Sequence, residues 1–309
     1  MNPLRGAILA ASRSQRLRHG VESVPATRRV VDRFVAGETA DDALECVHRL
    51  VSDSLLATVD HLGEAVTDDA GADATVDAYS ALLDALHRKD LARGADVSIK
   101  LTALGIAGNP AAALDRARAV LVAARDVGAT MTVDMEESAL TQTTLDAVRA
   151  LRDADPTVAA VLQAMLRRTE GDAAALAREG ARVRLCKGAY AEDAEVAFRR
   201  RRDVDAAYRR CLAVLMAEPS CRPLVATHDP AMVTAALELA AASGRGPGDY
   251  ELQMLLGVRP AEQLRLRGLG LTVRVYVPFG TEWWGYLMRR LAERPANLAF
   301  FLRALATRG

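Results

Sequence analysis

Eight short apolar runs recur along this chain at nearly even spacing, with longer helical patterns between them. The runs are Leu55–Val59, Asp96–Leu101, Thr130–Asp134, Ala159–Gln163, Arg182–Lys187, Pro223–Thr227, Tyr250–Leu255 and Leu271–Val277. Between them stand helical stretches such as Ala111–Ala124, Ser138–Arg152, Asp193–Met216, Pro230–Ser243 and Pro260–Arg267. Apolar runs of this length, bounded by turn residues, read as strands. A helical crossover between consecutive strands makes them parallel. Eight even units in 309 residues have the size and rhythm of an α/β fold, the (β/α)8 TIM-like barrel. A doubly wound open sheet is the main competitor, and the even units and short loops favour closure. The final helix, Glu282–Glu293, then closes the set.

Residues 1–53 lack this rhythm and read as an N-terminal helical arm packed against the barrel of residues 54–309. Pro25–Phe34 and Ala40–Ser52 carry helical patterns, split by Gly37, with Thr39 placed as an N-cap. A formal net charge of zero argues against a nucleic-acid surface. No apolar run approaches the roughly 18 residues needed to cross a bilayer. Residues 1–21 hold Arg5, Arg13, Arg16 and Arg18 and no acid, but Ala7–Ala11 is too short for a secretory segment. Cys46, Cys186, Cys211 and Cys221 form no CxxC pair and no zinc spacing, and four thiols fit a reducing cytoplasm.

Chemistry in such a barrel gathers at the C-terminal ends of the strands. Those ends read Asp60-His61, Lys100, Asp134, Gln163, Lys187, Thr227-His228, Gln253 and Tyr276. The ring predicts a polar, mixed-charge pocket above mostly apolar strands. Among 40 basic residues only Lys89, Lys100 and Lys187 are lysines, and the last two end strands. Where Arg is the default base, Lys marks a place that needs a compact ammonium. Lys187 reads as a Schiff-base nucleophile or an anion binder. Asp134 reads as a general base or as the partner of a lysine across the pocket. His228 reads as base, metal ligand or structural histidine; with no HxH or HExxH spacing, a metal site is not expected.

In the final helix, Tyr286, Arg289, Arg290 and Glu293 fall at i, i+3, i+4 and i+7, on one face. Two guanidinium forks side by side match a planar carboxylate or phosphate, and Glu293 can hold one fork in its rotamer. The residues alone thus point to a barrel enzyme binding a small anion. A Schiff-base aldolase using Lys187 and a non-catalytic amino-acid sensor are the rival readings.

Val97-Ser-Ile-Lys-Leu101 with Ala103-Leu-Gly105, Val133-Asp-Met-Glu-Glu137, Gln163-Ala164, Arg184-Leu-Cys-Lys-Gly-Ala-Tyr190, Ala226-Thr-His228, Glu251-Leu-Gln-Met-Leu-Leu-Gly257 and Tyr286-x-x-Arg-Arg-x-x-Glu293 occur in this order. Together they resemble the proline dehydrogenase family, from about residue 55 to the C-terminus. The arm, with Phe34-Val-Ala-Gly-Glu38, is similar to the single-function bacterial branch, and no aldehyde dehydrogenase domain follows. The resemblance implies a distorted (β/α)8 barrel holding FAD. It implies oxidation of L-proline to Δ1-pyrroline-5-carboxylate by hydride transfer from C5 to flavin N5, with electrons passed to a membrane quinone. A separate pyrroline-5-carboxylate dehydrogenase would take the product, and a cytoplasmic location at the inner face of the membrane would follow.

By the same resemblance, Lys100, Arg289 and Arg290 bind the proline carboxylate, and Glu293 and Asp134 fix those cations. Tyr190, Leu256 and Tyr276 wall the pyrrolidine ring, the Tyr at strand 8 favouring proline over 4-hydroxyproline. Gln163, Arg184, Lys187, Gly188, Ala189, Thr227 and His228 hold the flavin, with Met135 at its isoalloxazine edge. Asp134, Arg184 and Tyr276 stand closest to the chemistry. Cys186 and Ala191 depart from the Val and aromatic residue often found there, and Gly280-Thr-Glu-Trp-Trp284 is similar to a short bacterial lid loop.

Overall fold

All eight apolar runs form strands in the computed structural model, which describes residues 31–63, 66 and 68–293, without the side chains of residues 289 and 291–293. The strands are β1 (Leu56–His61), β2 (Asp96–Ile99), β3 (Thr130–Val133), β4 (Ala159–Gln163), β5 (Arg182–Cys186), β6 (Arg222–Ala226), β7 (Glu251–Leu255) and β8 (Val273–Phe279). Each pairs in parallel with the next, and β8 returns to β1 along the register Leu56↔Arg274 to His61↔Phe279. This is a closed (β/α)8 barrel. Between the strands run α2 (Asp69–Arg88), α3 (Pro110–Asp126), α4 (Thr141–Arg152), α5 (Thr169–Arg178), α6 (Arg201–Ala217), α7 (Pro230–Ala242) and α8 (Pro260–Gly268), after α1 (Ala40–Ser52) and before α9 (Trp283–Glu293). No helix among the described residues is long and apolar enough to cross a membrane.

The main core lies between the strands' outer faces and the helices. Val59, Val97, Ile99, Val133, Val183, Leu185, Leu252 and Val275 bury there against Tyr79, Leu82, Leu121, Leu145, Leu176 and Leu212. Burying each such aliphatic side chain contributes about 1.5–3 kcal/mol.

Two expectations need correction. The stretch Asp193–Met216 is helical only from Arg201. Residues 193–200 instead fold back over the end of β4, through Arg167 N to Val196 O at 2.9 Å, Phe198 N to Met165 O at 2.7 Å and a bridge of Leu166 with Ala197. Those backbone bonds override a helix-compatible local sequence.

The second concerns closure. Helix α9 does not complete the outer ring: Trp283, Trp284, Tyr286, Leu287 and Met288 pack with Val31, Phe34, Val35, Leu62 and Val258, over the C-terminal ends of β1 and β7. The outer position beside β1 and β8 is taken by α1, whose Ala43, Leu44, Val47 and Leu50 join the main core. Thr39 caps α1 as expected, with reciprocal bonds to Asp42 at 3.2 and 2.9 Å, a device that stabilises by about 1 kcal/mol. Of the expected Pro25–Phe34 helix, residues 31–34 are helical; the rest lies outside the described residues.

Residues 31–38 are stitched to the mouth. Ala36 N donates to Pro278 O at 2.9 Å, Gly280 N to Gly37 O at 3.0 Å, and Trp283 Nε1 to Glu38 Oε1 at 3.2 Å. Arg33 Nε donates to Gly257 O at 3.0 Å, and Gly257 has φ +71. A Cβ at Gly257 would stand 1.9 Å from the Arg33 carbonyl oxygen. Because that obstacle is backbone, Gly257→Ala is expected to destabilise by about 2 kcal/mol or more. A urea midpoint within error of the parent would refute this close contact.

The barrel interior departs most from expectation. Such interiors usually stack Val, Ile and Leu in layers. Here the inward positions of β1, β2, β3, β5, β7 and β8 alternate with apolar outward ones and carry Thr58, Asp60, Asp96, Ser98, Thr132, Arg182, Arg184, Glu251, Gln253, Arg274 and Tyr276. At the floor, Arg274 grips Glu251 at 2.8 Å and donates to the carbonyls of Ala57 and Gly94 at 2.9 Å each. Burial alone would raise the Glu251 carboxyl, but Arg274, Arg182 and Arg222 bring it down to about 2. A folded value below the unfolded one adds stability that is complete above the ordinary glutamate range and is lost as pH falls toward 2. Glu251→Gln is therefore expected to cost about 3–5 kcal/mol near neutrality and to flatten the acid limb of the stability curve. Urea unfolding from acid to neutral pH checks both; an unaltered acid limb would exclude this role.

Candidate active site

At the C-terminal end of the barrel, side chains that are buried below become half exposed. Lys100, Cys186, Lys187, Gly188, Ala189, Tyr190, Ala226, His228, Leu255, Leu256 and Tyr276 all lie in this intermediate zone. Lys100 follows β2 and points inward with Ser98 and Asp96. Its ammonium donates to Asp60 at 2.5 Å and lies 3.4 Å from Asp134. Burial lowers the ammonium's affinity for its proton, but the two carboxylates reverse this and the group titrates well above the ordinary lysine range. The carboxylates diverge. Desolvation, only partly offset by Lys100, raises Asp60. For Asp134 the same desolvation is outweighed by Lys100, Arg184 and the hydroxyls of Tyr276 and Ser98, so it titrates low. Asp60 belongs to the ring of strand ends expected to line the pocket, but no individual role follows from the sequence; its bond to Lys100 supplies one.

Tyr276, on β8, donates to Asp134 Oδ2 at 2.8 Å, and its ring lies 5.4 Å from the Arg184 guanidinium carbon. Asp134, Lys100, Tyr276 and Arg184 therefore form one connected cluster. Arg184 is nearly fully buried beneath the others, where Gln253 Oε1 accepts from its Nε at 2.7 Å. The strand-end reading missed Thr58, Asp96, Ser98 and Thr132, which lie deeper. Strict alternation of polar and apolar residues, as in Asp96-Val-Ser-Ile-Lys100, is the signal that identifies them.

The remaining candidates surround this cluster. Gln163 is buried and fixed by donating to the Glu136 carbonyl at 2.7 Å. Met135 is buried in the core beside it, and Leu256 N donates to Tyr276 O at 3.0 Å. Tyr190 packs against Met165, Leu166 and Ala197. Thr227 Oγ1 accepts from Asp229 N at 3.1 Å, and His228 Nε2 accepts from Leu255 N at 2.8 Å, which ties the β6 and β7 loops together. The Lys187 ammonium donates to Asp229 at 2.7 Å and to Asp205. Two carboxylates are the opposite of the apolar or cationic surroundings that activate a Schiff-base lysine, which weighs against the aldolase reading.

Above the mouth, Arg290 stacks over the buried Tyr286 ring, 5.1 Å from its centroid. Its charge reaches the end of β5: burial raises the Cys186 thiol to about 11, against smaller opposing effects of the Gly188 backbone, Arg184 and Arg290. The side chains of Arg289 and Glu293 lie outside the described residues. A face carrying Arg290 thus roofs a floor carrying Lys100, Asp134 and Tyr276.

A family model described as proline dehydrogenase matches residues 43–303. The chain belongs to the proline dehydrogenase family. Proline dehydrogenase 1 of Bacillus subtilis (strain 168) is 35% identical over 279 residues, spanning 90% of this chain and 91% of that protein. The proline dehydrogenase of Deinococcus radiodurans is 34% identical over 281 residues, spanning 89% and 90%. The crystal structure of PutA from Bdellovibrio bacteriovorus inactivated by N-propargylglycine superposes with a TM-score of 0.81 at 25% identity, over 86% of this chain and 33% of that one. This chain therefore spans about a third of that PutA. Membership makes the chain an oxidoreductase of proline catabolism.

Proposed function

We propose that this chain oxidises L-proline to Δ1-pyrroline-5-carboxylate with FAD as cofactor and a membrane quinone as electron acceptor. The observation that carries the reading is Lys100, largely buried at the mouth between Asp60 and Asp134, under the helix that holds Arg289 and Arg290. Three cations around one carboxylate orient the substrate as well as bind it. Asp134 keeps Lys100 in place, and in this reading Glu293, four and three positions after the Arg pair on the same helix, would do the same for the guanidinium forks. Tyr276, Tyr190 and Leu256 bound the space left for an apolar ring.

The residues present fit a flavin. Gly188 has φ +96, and a Cβ there would stand 2.6 Å from Met165 Cγ and Sδ, so the loop after β5 offers bare backbone beside an apolar surface. Gln163, Arg184, Gly188, Ala189, Thr227 and His228 would hold the cofactor from three neighbouring strands, with Met135 at the ring edge. Lys187 would contribute by fastening this loop to Asp205 and Asp229. The chemistry supplied by the bound flavin is acceptance at N5 of a hydride from proline C5. The protein's own residues orient the carboxylate, keep Asp134 ionised and present a closed apolar wall to the ring. The product would pass to a pyrroline-5-carboxylate dehydrogenase, a separate protein in this reading.

The test is an anaerobic absorbance spectrum before and after adding L-proline. A yellow protein that bleaches supports cofactor and substrate together. A yellow protein indifferent to proline moves the substrate to another cyclic amino acid, and a colourless protein that takes up no FAD overturns the reading.

A further inference from the structure

Arg184 crosses the barrel with all its donors engaged. Nε donates to Gln253 at 2.7 Å; Nη1 donates to Ser98 at 2.9 Å and Asp134 at 3.0 Å; Nη2 lies 3.3, 3.2 and 3.4 Å from Thr58, Asp96 and Thr132. A guanidinium has five N–H groups, so this one is held in place as a fixed charge. Asp96 is the more buried of its two carboxylate partners. It is almost fully buried and also accepts from Thr58 at 3.0 Å and from Thr130 and Thr132 at 2.8 Å each. Three threonine hydroxyls converging on one carboxylate go beyond what is needed to fill the barrel, where three aliphatic side chains would pack without a buried charge.

We propose that Asp96 is a positioning residue for the redox reaction: it anchors Arg184 from below and its negative charge lowers the tendency of the bound flavin to be reduced. The inference rests on the flavin reading above. The sign of the charge gives the sense of the effect. Asp96 is one of three carboxylates, with Asp60 and Asp134, that face Lys100 and Arg184, and Arg182 and Arg274 also lie in its field from the floor. Neutralising it removes one negative charge beneath the mouth, and a two-electron-reduced flavin, which carries more negative charge, is then favoured.

Asp96→Asn keeps the shape and an oxygen acceptor for the threonines. Its bound FAD, titrated anaerobically against a reference dye, is expected to show a reduction equilibrium constant about tenfold larger, which is ~30 mV for a two-electron couple. Thr132→Val removes the hydrogen bonds to Asp96 and from Arg184 but no charge, and is expected to leave the constant within about twofold. If the amide variant does not fold, Asp96→Ser, smaller and equally neutral, takes its place with the same expected shift. A wild-type protein that binds FAD, with a potential unmoved by neutralising Asp96 or moved equally by Thr132→Val, overturns the inference alone. A wild type that takes up no FAD overturns both the inference and the reading beneath it.

Discussion

Replacing Arg289 or Arg290 with Met is expected to raise the apparent KM for proline by about 30-fold to several thousand-fold, while flavin stays bound. The range follows from about 2–5 kcal/mol lost when one side of a buried charge pair is truncated. Both residues belong to α9, which rests on Phe34, Leu62 and Val258 above the strand ends. Removing one guanidinium is therefore expected to leave the barrel and its floor intact. Arg290→Lys restores charge without the fork and is expected to recover only part of the affinity. The measurement is steady-state kinetics with the flavin content of each variant; unchanged KM would place the substrate carboxylate elsewhere.

Lys100→Met is expected to act twice. It removes a cation from the proposed carboxylate site and leaves Asp60 and Asp134 facing each other without their shared ammonium. Breaking a buried pair this way costs about 3–5 kcal/mol, and the Asp60 carboxyl, already raised by desolvation, is expected to rise further. Asp60→Asn in the same background should return part of the stability by removing the stranded charge, without restoring proline affinity. Thermal unfolding and KM measured side by side separate the two effects. If both recover together, Lys100 is structural and does not touch substrate.

The barrel was legible because its outer strand faces are continuous hydrophobic positions, and α1 of the arm starts at a clear cap, Thr39. Strand ends were readable to within a residue or two, the largest shift being β8. There Leu271 and Thr272 remain in the turn, and Pro278 and Phe279 extend the pairing with Asp60 and His61. The place of α9 was not legible: its Trp283-Trp284-Gly-Tyr-Leu-Met stretch has the apolar content of an ordinary barrel helix. Only the fold shows that the slot beside β1 and β8 is already filled by α1. The clustering of Lys100, Asp134 and Tyr276 at one mouth followed from strand order alone. Their floor did not, because a polar residue inside a strand is more often turned to solvent than stacked in a closed barrel.

The roof of the mouth joins opposite ends of the described chain. Arg33 meets Gly257 across 224 positions, and Glu38 meets Trp283 across 245. Because closing so long a loop adds little extra entropy beyond a medium one, such contacts are sustainable in the finished protein; their cost is in time, since distant pairings form late. A chain emerging from the ribosome can order successive strand–helix units, yet β1 keeps an open edge and the roof has no second half until α9 is out. Amino-acid binding at this mouth, as proposed, thus waits on α9, and a nascent chain that has not yet exposed this helix would carry the floor of the site without the proposed carboxylate grip.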